Sequence, residues 1–130
     1  MAQRRMTTNR NAIAGLISAR RHPAGHLEAR AARRSGRRGE VLASFLQSDV
    51  QGDLGAARDL LAEVGAAERG EAPQPAAIGN AYAVSITPEG VAIRIAVIED
   101  SRPERYDFTE IRLALGTWIA AIERARRNPL

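Results

Sequence analysis

Three groups of residues in this 130-residue chain are of types that can do chemistry. His22 and His26 stand four apart, a spacing that lets two imidazoles share a helix face and chelate a metal. Pro23 and Gly25 lie between them and spoil that helix, and no third ligand stands nearby, so solvated linker side chains are expected and no metal site. Glu99, Asp100, Glu104, Asp107 and Glu110 gather in one stretch. Paired carboxylates can act as acid and base in glycoside cleavage, but no aromatic platform or glycine-rich loop accompanies these, which favours a solvated or partner-facing acidic surface. Arg30, Arg33, Arg34, Arg37 and Arg38 fall at i, i+3, i+4, i+7 and i+8. A helix there would carry one basic stripe suited to the phosphates of a nucleic acid.

Several reaction classes are excluded by composition. The chain has no cysteine, hence no disulfide, zinc thiolate site or thiol nucleophile. Both histidines precede residue 40, so the rest of the chain lacks Ser-His-Asp triads, Cys-His dyads and zinc hydrolase sites. Gly79 stands alone, and Gly65 and Gly70 are far from any strand-to-helix turn, so no phosphate-cradling loop is present. A non-enzymatic binding protein with no cofactor is the expectation. The longest apolar run, 113–122, is ten residues, about half of the roughly 20 that span a bilayer, and reads as a buried helix. No membrane partner and a cytoplasmic location are therefore expected.

Charge divides the chain in two. Residues 1–39 hold ten arginines against Glu28 alone, a net +9, whereas residues 40–130 hold nine arginines against fourteen acids, a net −5. An acidic body suits an electropositive partner, and a basic arm suits a polyanion. All nineteen basic residues are arginine and none is lysine, as in the products of GC-rich genomes, so codon bias stands as an alternative to selection for guanidinium chemistry. A third reading is intramolecular, with the basic arm folding back on the acidic body at low salt.

The elements that must position these residues follow from periodicity. Residues 1–39 have no sustained apolar face, with Ile13, Leu16 and Ile17 in one small cluster and Leu27 isolated. Pro23, Gly15, Gly25, Gly36 and Gly39 interrupt any helix. This predicts a disordered arm ahead of a small acidic α+β domain over 40–130. Met6 offers a second possible start, and the Arg-rich, acid-poor composition also has the look of an organelle transit peptide. Val41, Leu42, Phe45, Leu46 and Val50 predict a helix over 40–50. Asp53 is placed to cap a second helix over 53–68, with Leu54, Ala57, Leu60, Leu61 and Val64 inward. A linker follows through Pro73 and Pro75. Tyr82, Val84 and Ile86, then Val91, Ile93, Ile95 and Val97, alternate on either side of Pro88-Glu89-Gly90, which predicts a β-hairpin of 80–86 and 91–99. Tyr106 and Phe108 allow a short third strand at 105–108. Thr109 is then the expected cap of a last helix over 110–126, with Ile111, Leu115, Trp118, Ile119 and Ile122 inward. Trp118 reads as core, and Tyr82 and Tyr106 as half-buried strand residues with wet hydroxyls.

Leu60-Leu61-x-x-Val64, the linker, Gly79-Asn80-x-Tyr82 opening a strand, Val91-x-Ile93 on the return, the acidic loop and Leu115-x-x-Trp118 form a pattern over about residues 41–126. This pattern resembles the small bacterial immunity proteins of contact-dependent growth inhibition and other polymorphic-toxin systems. The resemblance implies an antitoxin that binds the toxin domain of a neighbouring gene product, often a nuclease, and blocks its active site. On this reading Glu99, Asp100, Glu104 and Asp107 meet the basic toxin, with Tyr106 as the aromatic anchor. The basic arm is foreign to the pattern, and Gly116 interrupts a helix that is usually strong. On the alternative reading the arm binds nucleic acid through Arg30, Arg33, Arg34, Arg37 and Arg38. Neither reading specifies an oligomeric state.

Overall fold

Alternation of small apolar residues with arginines makes the segment after residue 16 a hairpin. In the computed structural model, which describes residues 15–71, 77–78, 81–98 and 100–128, β1 (Ile17–Arg21) pairs antiparallel with β2 (Leu27–Ala31). The register runs from Ile17 opposite Ala31 to Arg21 opposite Leu27. Pro23 and Gly25, which forbid a helix, lie in the connecting turn, closed by His22 N–H donating to His26 O at 2.7 Å and Gly25 N–H to His22 O at 2.8 Å. Ile17 enters the core, and Leu16, Ala19, Leu27 and Ala29 pack against it. The expected disordered arm is thus corrected over Ile17–Ala31, while residues 1–14 lie outside the described residues. Half of the hairpin's inward face, Ile17, Ala19, Leu27 and Ala29, is alanine, too weakly apolar to register as a periodic signal.

The expected boundary at residue 39 falls inside α1 (Gly36–Phe45), which begins earlier than residue 40. Gly39 is buried in its first turn, where a Cβ would come within 2.9 Å of Leu16 O and collide with the Ser35 side chain, so glycine lets α1 approach the hairpin backbone. The helix continues into one wide π turn, Leu46–Val50, closed by Gln51 N–H donating to Leu46 O at 2.7 Å. Within it the Asp49 carboxylate accepts the N–H groups of Ala81 at 3.0 Å and Tyr82 at 2.9 Å, pinning the start of a strand from the second sheet. α2 (Leu54–Glu68) starts where expected, with Asp53 Oδ1 accepting the Ala56 N–H at 3.0 Å.

The second sheet is antiparallel, in the order β3-β4-β5-β6, with β3 (Ala77–Ile78), β4 (Tyr82–Thr87), β5 (Gly90–Ile95) and β6 (Glu104–Tyr106). The predicted hairpin is present, with Val84 opposite Ile93 and Ile86 opposite Val91, but its second strand ends at Ile95. β3 was not foreseen, and the Gly79-Asn80 pair and most of the predicted linker lie outside the described residues. Gly90 holds a φ of +143° with the space of its missing Cβ 2.6 Å from Tyr106 O, so both backbone angle and strand spacing require glycine there.

The third strand is one step earlier than expected, and Phe108 instead opens α3 (Phe108–Arg127). Thr109 is not the cap. Asp107 Oδ1 accepts the Glu110 N–H at 2.7 Å and Glu110 Oε1 accepts the Asp107 N–H at 2.9 Å, a reciprocal capping box that the Asp-x-x-Glu spacing permits. Gly116 lies on the exposed side of α3 without breaking it. The α+β architecture therefore has three helices and two small antiparallel sheets among the described residues. One apolar cluster joins them through Trp118, Leu42, Leu46, Ile93, Leu115 and Val64, all essentially inaccessible. Trp118 Nε1–H donates to Gln51 O at 2.6 Å, satisfying the one polar atom that the indole brings inside.

Candidate functional site

Starting α1 at residue 36 and β6 at residue 104 brings together two groups of residues that the sequence reading assigned to rival functions. Arg37 Nε donates to Glu104 Oε2 at 2.8 Å, and Arg38 donates to Glu110 Oε1 at 2.6 Å and to the Arg105 carbonyl at 2.8 Å. The Arg38 guanidinium lies 5.2 Å from the centroid of the Tyr106 ring, close enough for a cation–π contact. Thus two arginines of the basic segment pair with two carboxylates of the acidic one.

The electrostatics follow from this geometry. Partial burial works to raise the Glu110 pKa, but the hydrogen bonds from Arg38 and from the Asp107 N–H, with the Arg38 charge, outweigh it and hold the carboxyl below its ordinary value. Arg38 shifts upward in turn, mainly through its hydrogen bond to Glu110. Burial, reinforced by the Glu104 charge, pushes the Tyr106 phenol well above its ordinary value, so it stays protonated and can donate. Its hydroxyl donates to the Arg38 carbonyl at 2.6 Å.

The individual side chains then take different places from those expected. Tyr106 is 2% exposed and both faces of its role are internal, so it is a packing residue rather than an exposed anchor. Its hydroxyl bonds inside the protein rather than to solvent, and that of Tyr82 bonds Ser44 Oγ at 2.8 Å near the surface. Asp107 is a helix cap and Glu104 is an ion-pair partner. Asp100 is exposed, and Glu99 lies outside the described residues. The arginine stripe is not formed. Arg30 lies on β2 and pairs with Glu28 at 3.3 Å, Arg33 and Arg34 are exposed in the turn before α1, and only Arg37 and Arg38 are helical. Arg34 takes a φ of +69°, which no helix through 30–38 could accommodate.

Two features were missed. Val97 is 83% exposed and Ile98 51% exposed, the large hydrophobic side chains most open to solvent among the described residues, and both lie in the loop between β5 and β6 beside Asp100. Placing Val97 on a strand assigned it to the dry face, and only the early end of β5 at Ile95 releases it. His22 and His26 do meet, but as rings stacked 4.5 Å apart across a hairpin turn, with His22 Nδ1 accepting the Ala24 N–H at 3.0 Å. Among the described residues no group of three or more His, Asp or Glu side chains is arranged to hold a metal, and no helix is long and apolar enough to cross a membrane. Comparison with known proteins gives no match to a family model, to a curated protein or to a solved structure.

Proposed function

We propose that this chain is a non-enzymatic, cytoplasmic binding protein of the immunity type, which neutralises a basic, nuclease-type toxin domain by covering its active site. The observation that carries this reading is the exposed apolar pair Val97 and Ile98 next to the exposed carboxylate of Asp100. A soluble domain gains nothing from leaving two large aliphatic side chains in water, whereas an interface uses such a pair as a desolvated centre with charge at its rim. The loop also lies in the stretch where the immunity-protein resemblance puts its acidic contact. Asp100, with Glu99 from the sequence, supplies attraction toward a basic partner, and Val97 and Ile98 supply the contact that holds it.

The test is binding of the full chain to the toxin domain encoded beside it, followed by surface plasmon resonance. Val97→Ser with Ile98→Ser is expected to speed dissociation at least about tenfold, as loss of a central apolar contact does. Asp100→Asn is expected to slow association and flatten its dependence on salt. Unchanged rates in both variants would remove this loop from the interface, and no binding to any neighbouring toxin would remove the immunity reading.

A further inference from the structure

We propose that the seam between β1 and the C-terminal end of α3 binds the phosphodiester backbone of a nucleic acid. Arg20, Arg21, Leu27, Ala121, Arg124, Ala125 and Asn128 line an open cleft of about 150 Å³, large enough to admit a phosphate group. Three of these seven residues are arginine and none is acidic.

A helix C-terminus ordinarily repels anions, because its free carbonyls carry the negative end of the dipole. Here Arg21 cancels that end. Its guanidinium donates to Asn128 O at 2.5 Å and to Ala125 O at 2.7 Å. Its Nε is buried with no hydrogen-bond partner among the described residues, so Arg21 contributes its charge to the cleft rather than a donor that a ligand reaches. Arg124 in the lining and Arg127, one turn further along α3 and outside the lining, are both exposed and both without an ion pair among the described residues. Elsewhere arginines such as Arg37, Arg38, Arg69 and Arg112 each face a glutamate. The two carboxylates next in sequence to lining residues are already paired, Glu28 with Arg20 and Arg30 at 3.2 and 3.3 Å and Glu123 with Arg58 at 2.8 Å, which leaves the surroundings net positive.

The same surface fits a lipid headgroup poorly, since the strongly exposed large hydrophobics, Val97 and Ile98, lie in the β5–β6 loop and not in this cleft. Guanidinium groups with no aromatic platform contact phosphates without reading bases, so the binding is sequence-independent and strongly salt-dependent. It involves residues other than those of the toxin-binding loop and stands or falls separately from that reading.

The test is fluorescence anisotropy of a labelled oligonucleotide of about 20 nucleotides with the full chain, between about 50 and 200 mM salt. Arg124→Gln with Arg127→Gln is expected to weaken binding at least about tenfold and to lower the log–log salt slope by about 1.4 to 1.8, the loss of two phosphate contacts. Arg69→Gln with Arg112→Gln removes the same charge away from the cleft and is expected to leave both nearly unchanged. Arg124→Lys with Arg127→Lys, which keeps the charge and the helix, is expected to stay within about threefold of the parent. Equal losses in the two glutamine pairs, salt-insensitive binding, or no binding would overturn the proposal. Displacement of the oligonucleotide by inorganic phosphate at about 10 mM would also overturn it, by revealing a small-anion pocket instead.

Discussion

Tyr106 and Arg38 hold each other in two ways: the phenol O–H donates to the Arg38 carbonyl at 2.6 Å, and the Arg38 guanidinium lies 5.2 Å from the centre of the Tyr106 ring. The pair joins the first turn of α1 to the edge strand β6 across 68 residues of chain. Tyr106→Phe keeps the ring and the cation–π contact but removes the second donor to the Arg38 carbonyl, leaving it only its bond within α1. We expect a loss of about 1–2 kcal/mol in urea denaturation with an unchanged m-value.

Acid should loosen the same corner. The Glu110 carboxyl is held below its ordinary value, so the folded state binds a proton less readily than the unfolded chain does. The stabilisation is therefore fully present above the ordinary glutamate pKa of about 4.3 and is lost as the pH falls through the folded value. Glu28, also shifted downward as the Arg30 and Arg20 interactions outweigh its desolvation, has the same sign. Glu110→Gln should accordingly flatten part of the acid limb of a stability-against-pH curve and leave the Glu28 part.

Asp49 should matter more than an exposed acid ordinarily does. Its carboxylate is the acceptor for two N–H groups at the entry to β4, those of Ala81 and Tyr82. Asp49→Ala is expected to cost about 1.5–3 kcal/mol, the range for hydrogen bonds to a charged group, and to speed amide exchange at those two residues selectively.

Gly116 offers the opposite sign. It lies in an exposed helical position where a Cβ would meet nothing within 4 Å. Gly116→Ala should raise stability by about 0.5–1 kcal/mol through helix propensity alone, read as an upward shift in Tm.

The two helices from 53 and toward 126 and the hairpin around Pro88 were legible because each carries a strong period and its own stop signals. Leu54, Ala57 and Val64 recur on one face of α2, and Val84, Val91 and Ile93 alternate in the sheet. The hairpin Ile17–Ala31 was illegible for a physical reason. Its apolar face is built from Ile17, Ala19, Leu27 and Ala29, two of them alanines, and the arginines between them mask the alternation. The candidate site was half legible. The acidic stretch was found, but Glu104 and Glu110 look free in a sequence because their partners, Arg37 and Arg38, stand more than 60 residues away.

A chain cut to residues 40–130 tests that point directly. It lacks the whole hairpin, the first turn of α1, the Arg37 and Arg38 pairs and the buried side chain of Ile17. We expect it to lose its cooperative thermal transition and to bind a hydrophobic dye.

The Arg21 tie to the last turn of α3 also sets the order in which the protein can be made. Arg21 is synthesised more than 100 residues before the carbonyls of Ala125 and Asn128 that it caps. On the ribosome, β1 and β2 therefore leave the exit tunnel long before α3 exists, and although α1 follows directly and packs on them, the side that α3 covers stays open until translation reaches it. Completion of the fold is a late event in synthesis, and the α3-facing side of the hairpin is open to chaperones and proteases in that interval.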